Sequence, residues 1–139
     1  MNVDDINIGG WRGCGMRSTM PTLQSGMPDT LAQVRVPFVD SNFLSAVDYT
    51  DDYLFLPAEK EVFGTRKYSP EAEANALTQF AYYKNGGSKI KSLSGSAVGW
   101  WFRSVCYSDS YRFCGVSTSG GAYKSSASFA GGAAPCFCV

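Results

Sequence analysis

The residue types that usually carry enzyme chemistry are sparse in this chain. It contains no histidine, which excludes a Ser-His-Asp triad, a Cys-His pair and the common imidazole metal sites. Its cysteines are odd in number, so they cannot all pair into disulfides, and none has the C-x-x-C spacing of zinc or thioredoxin-like sites. They are Cys14, Cys106, Cys114, Cys136 and Cys138. We therefore expect no enzyme activity, no metal and no cofactor.

Two groups of carboxylates are close enough in sequence to be considered as sites. Asp48, Asp51 and Asp52 could bind calcium, but they lack the glycine and the terminal glutamate of the EF-hand loop, so an exposed acidic turn is predicted. Glu59 and Glu61 are two residues apart in a predicted helix and therefore do not share a face, which makes them a poor acid–base pair. We interpret them as surface charges that complement the helix dipole.

The last forty or so residues differ in composition from the rest. After Trp100 there is no Asn, Leu, Ile, Met, Gln or Glu, and eight serines stand among tyrosines, phenylalanines and glycines. Tyrosine provides a large amphipathic contact area at a small entropic cost, whereas serine and glycine adapt to a partner. This composition is typical of a binding surface displayed on a rigid frame.

Length and charge narrow the function classes. The 139 residues suit one domain. The formal net charge of zero and a pI near 6.2 give no electrostatic reason to bind nucleic acid or an anionic membrane. No apolar run approaches the roughly 20 residues that span a bilayer, and the start MNVDDINIGG lacks the features of a signal peptide. We expect a soluble chain without membrane insertion.

The first part of the chain predicts short helices and strands. A turn of helix is expected from Gly13 to Ser18. Pro28 is placed to open a helix with Leu31 and Val34 on one face, ending at Pro37, with a strand at 34–36 as the alternative. A buried strand is expected at 53–56, running into a short helix after Pro57.

The second part predicts one longer helix and then strands. Ser69, Pro70 and Glu71 open a helix that continues to about Tyr83 and ends at 85–87. Its apolar positions Ala76, Leu77, Phe80, Ala81 and Tyr83 predict a core face. Strands follow at 100–104, 113–117, 122–126 and 135–139, with a hairpin turn at 119–121. Cys136 and Cys138 are predicted to share one face of the last strand as buried side chains.

Ordered motifs give the chain a family resemblance. The runs LFLPAEKEVFG, QFAYYKNG with SKIK, GWWFRS, FCGV and GGAAPCFCV occur in that order after an opening GGWRGCGMR. Together they resemble the DUF6273 domain. That resemblance implies an α+β, C-type lectin-like fold of the formylglycine-generating-enzyme variant, with short helices packed on small antiparallel sheets and a loop-rich C-terminal half. Residues 1–98 would be the scaffold of this single domain, and residues 99–139 the display region.

The resemblance also implies a function. C-type lectin folds of this kind include the variable proteins of diversity-generating retroelements, whose mutagenised NNC codons cannot specify Trp, Lys, Met, Gln or Glu. Between Phe102 and Val139 only Lys124 falls outside the permitted set. The implied role is receptor binding from a phage tail or a bacterial surface, with an unknown protein or glycan on a host or target cell as the partner. A trimer is expected by analogy.

The binding hypothesis assigns residues. Trp100, Trp101, Arg103 and Ser104 are predicted to form the frame, with Arg103 bonded to buried loop carbonyls. The predicted ligand-contacting residues are Phe102, Val105, Tyr107, Asp109, Tyr111, Arg112, Gly115, Ser117, Tyr123, Lys124, Ser125, Ser128 and Phe129.

Three alternatives stay open. A structural virion or cell-surface module would have no ligand. A formylglycine-generating type of enzyme would need Cys106 and Cys114 as a reactive pair. A calcium-dependent sugar lectin would need a Glu-Pro-Asn or Gln-Pro-Asp motif, which is absent.

Overall fold

The computed structural model describes residues 31–139, which form a mixed, strand-rich fold. Three small antiparallel sheets and three short helices make up this region. The predicted helical turn at 13–18 and the helix start at Pro28 lie outside the described residues. The helices are α1 (Glu59–Phe63), α2 (Glu71–Asn75) and α3 (Ala81–Lys84). The strands are β1 (Val34–Phe38), β2 (Asp48–Asp52), β3 (Lys91–Leu93), β4 (Ser96–Val98), β5 (Trp100–Cys106), β6 (Asp109–Val116) and β7 (Ala122–Ser126).

The first sheet confirms the strand alternative at residues 34–36. Strand β1 pairs antiparallel with β2, with Val34 opposite Asp52 and Phe38 opposite Asp48. Val36 and Phe38 are buried while Arg35 is exposed, which is the alternation of a strand with one covered face. Pro37 lies inside this strand and does not end a helix. The aspartates predicted to form a turn are instead part of strand β2.

Helix α1 is confirmed, but the strand predicted before it is not. Leu54, Phe55 and Leu56 are buried as expected, yet only Phe55 makes a strand-like pairing, an isolated bridge to Cys136. Helix α1 ends at Gly64, which has a φ of 75° and donates its N–H to the Lys60 carbonyl oxygen at 2.9 Å. Glycine accepts this left-handed conformation without strain.

The single helix predicted from Pro70 to Tyr83 is wrong, because the chain breaks into α2 and α3. Phe80 is extended, with a ψ of 138°, and donates its N–H to the Glu61 carbonyl oxygen at 2.8 Å. The Gln79 side chain donates to the Val62 carbonyl oxygen at 3.0 Å. Bonds to α1 have replaced the helical bonds of this segment. The predicted core face is therefore incomplete, since Ala76 and Ala81 are exposed.

The small antiparallel sheet predicted for the C-terminal part is confirmed, and its strand order is β5-β6-β7. The hairpin turn between β6 and β7 is confirmed: Ser117 donates its N–H to the Gly121 carbonyl oxygen at 2.8 Å, and Gly120 has a φ of 86°. The β3–β4 hairpin was not predicted. Ser94 and Gly95 connect these strands with φ values of 51° and 82°, so both turn residues lie in the left-handed region.

The chain end is not the predicted strand. Cys136 and Cys138 form isolated bridges with Phe55 and Ala32. Cys136 is half-buried and Cys138 is exposed, so the predicted burial of this pair is wrong for Cys138.

The C-terminal sheet is packed on both faces, which changes the predicted ligand set. One core cluster joins Val62 of α1 to Trp100, Phe102, Cys114 and Val116. The other contains Val39, Val105 and Phe113. Phe102, Val105 and Gly115, all predicted to contact a ligand, are buried. As a correction, we remove these three from the predicted set, since groups without exposed surface cannot meet a receptor.

Phe102→Ala tests this correction through stability. Phe102 has 0% exposure, and its ring packs edge-on against Trp100 and Phe63. Truncation leaves a cavity, and we expect the free energy of unfolding to fall by about 3–5 kcal/mol in chemical denaturation. Phe43→Ala is the control, because Phe43 is 67% exposed and its loss should change stability by about 0.5 kcal/mol or less. Equally small losses would return Phe102 to the surface set.

Candidate binding site

Arg103 holds the frame beneath the C-terminal sheet. Its guanidinium makes a bidentate ion pair with Glu61 of α1, at 2.7 Å and 2.9 Å. It also donates to the carbonyl oxygens of Leu56 at 2.8 Å and Pro37 at 2.9 Å. The predicted bonding of Arg103 to buried loop carbonyls is thus confirmed. Its carboxylate partner was not predicted.

Glu59 and Glu61 are buried, so their interpretation as surface charges is wrong. The Glu59 carboxylate accepts backbone N–H bonds from Lys67, Tyr68 and Ser69, at 2.8–3.1 Å. Its own N–H donates to the Ser104 hydroxyl at 3.0 Å. Besides Arg103, the Glu61 carboxylate accepts the N–H of Ala58 at 2.8 Å. Each buried charge is therefore matched by donors, which offsets the cost of removing it from water.

Glu73 of α2 is the exception among the buried acids. It is 1% exposed, and neither carboxylate oxygen has a hydrogen-bond partner within residues 31–139. Burial raises the pKa of Glu73 to about 7, and the nearby Arg103 and Ser104 oppose this rise only in part. Glu59 and Glu61 add to it through charge repulsion. Near neutral pH this carboxyl group therefore exchanges between its acid and its ionised form.

Trp101, predicted as a frame residue, packs partly on the core but also belongs to an aromatic cluster at the surface of the C-terminal sheet, with half-buried Tyr123 and exposed Phe129. The ring centroids of Trp101, Tyr123 and Phe129 are 6.2–6.5 Å apart in all three pairs. Gly115 separates Trp101 from Tyr123 in the strand register. A side chain at Gly115 would approach the Trp100 carbonyl oxygen to 2.6 Å, and one at Gly131 would collide with the Trp101 indole. Gly131 therefore leaves the space that the Trp101 indole occupies, and Gly115 lets the Trp100 carbonyl oxygen and the Tyr123 ring approach β6 closely.

Three of the predicted ligand residues are serines on β7 or next to it. Ser125 is on the Tyr123 side of β7, because residues two apart in a strand share a face. Ser128 follows β7, where its hydroxyl lies 3.0 Å from that of Ser126. Ser117 precedes β7, in the β6–β7 turn, with its hydroxyl 3.0 Å from that of Ser119. These predicted ligand residues are all at least partly exposed.

The remaining predicted residues form a separate, charged group at the β5–β6 hairpin. Asp109 lies 3.4 Å from the Lys124 ammonium and 3.7 Å from the Arg112 guanidinium. Tyr107 and Tyr111 are exposed beside them. Tyr123 and Lys124 are neighbours on β7, so their side chains leave opposite faces of the sheet. The predicted set is thus divided between two surfaces.

Sequence reasoning missed the contribution of residues 66–68 to this charged group. Arg66 lies over the Tyr107 ring at 5.6 Å, and Lys124 lies over the Tyr68 ring at 5.5 Å. The Tyr107 N–H donates to the Tyr68 carbonyl oxygen at 2.9 Å. Some forty residues separate these partners in the chain, and no local pattern indicates their contact.

The cysteines proposed as a reactive pair are poorly placed for that role. Cys106 and Cys114 are both buried. Burial raises the pKa of Cys114 well above its usual value, and the negative charges of Glu59 and Glu73 raise it further. A nucleophilic cysteine needs a lowered pKa.

Across residues 31–139, no three acidic or cysteine side chains are grouped to hold a metal ion, and no helix is long and apolar enough to cross a membrane.

The comparison with protein families agrees with the motif order. The profile of the DUF6273 family, described as a domain of unknown function, matches residues 10–139. The chain therefore belongs to the DUF6273 family. No curated protein and no solved structure matches it.

Glu73→Gln should remove a pH dependence of folding. Folding raises the pKa of Glu73 from 4.5 to about 7, so the folded state binds more protons in this range. The stabilisation that the protonated Glu73 contributes is fully present below pH 4.5. It falls as the pH rises towards 7, and above that pH Glu73 causes no further change in stability. We expect this acid to account for a loss of about 3 kcal/mol in the free energy of unfolding between pH 4.5 and 8. Urea denaturation of the variant should lack that loss.

The neighbouring Glu71→Gln is the matched control, since Glu71 is exposed on the same helix. It should retain the pH dependence of the unsubstituted chain. Identical pH profiles for Glu73→Gln and the unsubstituted chain would contradict the raised pKa.

Proposed function

We propose that this chain is a ligand-binding display module whose main contact surface is the aromatic cluster of Trp101, Tyr123 and Phe129. One observation carries the proposal: three large rings pack together at the surface, where Phe129 is 56% exposed and Trp101 and Tyr123 are half-buried. Single exposed apolar residues are common, but grouped ones mark interaction sites. Trp and Tyr are also enriched among residues that dominate binding energies.

The support beneath the cluster favours binding over a purely structural role. Trp101 is a residue of β5, whose backbone continues through Phe102 and Arg103 into the buried core. Its indole packs where Gly131 leaves space. A surface held in place before binding loses little entropy when a ligand arrives. Ser125, on the same face of β7 as Tyr123, supplies a hydroxyl group that both donates and accepts hydrogen bonds.

The finer identity proposed for the module is a C-type lectin-like variable protein of a diversity-generating retroelement. It would act on a phage tail or a bacterial surface and bind a protein or glycan of the host or target cell, as a trimer by analogy. Composition supports this, since Lys124 alone between Phe102 and Val139 needs a codon outside the NNC set. The competing proposal is a structural surface module with no ligand.

The gene itself provides the test of diversification. We expect its 3′ end to lie beside a near-copy repeat and a reverse transcriptase gene, with codon differences confined to adenines of the repeat. Sequencing of the flanking DNA decides this. If the repeat is missing, or the tail codons do not differ at its adenines, diversification is rejected while binding remains to be tested separately.

The binding role is tested on the protein. Intact bacterial cells and a glycan array serve as probes for the labelled chain. Tyr123→Ala and Phe129→Ala should each weaken the affinity for a captured ligand about tenfold or more, as expected for aromatic anchors. Tyr82→Ala is the control, because Tyr82 is about as exposed as Phe129 but belongs to α3. Equal losses for all three, or failure of every probe to bind, would favour the structural module.

A further inference from the structure

Four cations meet three tyrosines at the β5–β6 hairpin. Arg66 lies over the Tyr107 ring at 5.6 Å, and Arg112 lies over the Tyr111 ring at 5.5 Å. Tyr68 has two cations over its ring, Lys67 at 5.1 Å and Lys124 at 5.5 Å. We call this group the cation–tyrosine patch; it consists of Arg66, Lys67, Tyr68, Tyr107, Tyr111, Arg112 and Lys124.

The cation–tyrosine patch has an excess of positive charge. Asp109 is the carboxylate that pairs with Lys124 and Arg112. Within the part of the chain that the structure describes, Arg66 and Lys67 form no ion pair. Four cations thus face one anion, although the whole chain has 12 basic and 12 acidic residues. Such an uneven distribution in a neutral protein attracts a partner of the opposite charge.

The surroundings of the patch hold these cations in place. Glu59 accepts the backbone N–H groups of Lys67 and Tyr68, so a buried carboxylate fixes the segment from which the cations project. The Arg66 guanidinium also donates to the Ser69 carbonyl oxygen at 3.0 Å. Arginines stacked on an aromatic ring keep their N–H edges free for a bidentate bond to a carboxylate.

The same geometry bears on which anion fits. Each tyrosine ring already has a cation over one face, so these rings are poor platforms for a stacked sugar ring. Tyr107 and Tyr111 are 50% and 58% exposed, and their hydroxyl groups can donate to a carboxylate oxygen. Carboxylates carried on a flexible backbone can reach several separated cations at once. These features favour a segment of protein rich in Asp and Glu.

We propose that the cation–tyrosine patch binds an acidic segment of a partner protein, as a second contact surface centred on Lys124, whose side chain leaves the opposite face of the sheet from Tyr123. This proposal rests on the proposed binding function, which it extends to a second face of the sheet. The two are separable because Tyr123 and Lys124 point to opposite faces.

A labelled peptide of alternating Glu and Gly is the probe, with its Gln-for-Glu counterpart as the uncharged control. Fluorescence anisotropy at low salt should show binding of the acidic peptide alone, weakening about tenfold or more as the ionic strength rises to 0.3 M. Arg66→Gln and Arg112→Gln should each weaken binding about threefold, and the double variant about tenfold. Thermal unfolding checks that the variants remain folded.

Arg35→Gln is the matched control. Arg35 also lies over a tyrosine ring, that of Tyr49, at 4.6 Å. It belongs to the separate β1–β2 sheet, where Asp51 is opposite it in the strand register. Its substitution should leave peptide affinity unchanged. An equal loss with Arg35→Gln, unchanged binding by the Arg66/Arg112 double variant, or no binding of the peptide would overturn the proposal. Binding of polygalacturonate in place of the peptide would overturn it in favour of an acidic glycan.

The aromatic variants separate this proposal from the proposed function. Tyr123→Ala and Phe129→Ala should bind the acidic peptide as well as the unsubstituted chain does. If the acidic peptide does not bind while a ligand of the aromatic cluster is found, only the proposal for the cation–tyrosine patch is rejected. If the peptide binds and no ligand of the aromatic cluster exists, the patch stands and the aromatic site fails.

Discussion

The rest of the structure depends on the buried ion pair between Arg103 and Glu61. The guanidinium joins β5 to α1 and to the carbonyl oxygens of Pro37 and Leu56, which are 66 and 47 residues away in the chain. A buried charge is tolerated only when its donors and acceptors are matched, and removal of one partner leaves the other unpaired at high cost. Four segments must therefore fold together before any of them is stable in this arrangement.

The buried glutamates Glu59 and Glu73 belong to the same polar core as the Arg103–Glu61 ion pair. Glu59 holds the segment at 67–69 through backbone N–H groups, and that segment carries part of the cation–tyrosine patch. Ser104 of β5 accepts the Glu59 N–H. Glu73, by contrast, lacks a hydrogen-bond partner within residues 31–139. The same polar core thus contains two fully matched acids and one whose protonation sets how much its burial costs.

Features determined by local sequence were predictable, and those determined by distant contacts were not. The β6–β7 hairpin follows from alternation and from glycines at the turn, and helix α1 follows from Pro57 and the acidic first turn. The prediction of one helix from Pro70 was wrong because the Phe80 N–H donates to the Glu61 carbonyl oxygen, a tertiary bond that no helical pattern reveals. Burial of Glu59 and Glu61 was missed for the same reason, since Arg103 and Ser104 lie more than 40 residues away.

Composition predicts a binding region in the tail but does not say which of its residues face outward. A regular strand alternates its faces, whereas the pairing of β5 with β6 contains register shifts between Trp101 and Cys106. Such irregularities change which side chains point inward, and Phe102 and Val105 are both buried. Arg66 and Lys67 lie far from the tail in sequence and join it through the Glu59 bonds to their segment and through the Tyr107 N–H bond to the Tyr68 carbonyl oxygen. A frame built this way separates two requirements: buried partners fix the strands, while the exposed hairpin residues can change without disturbing the ion pair below.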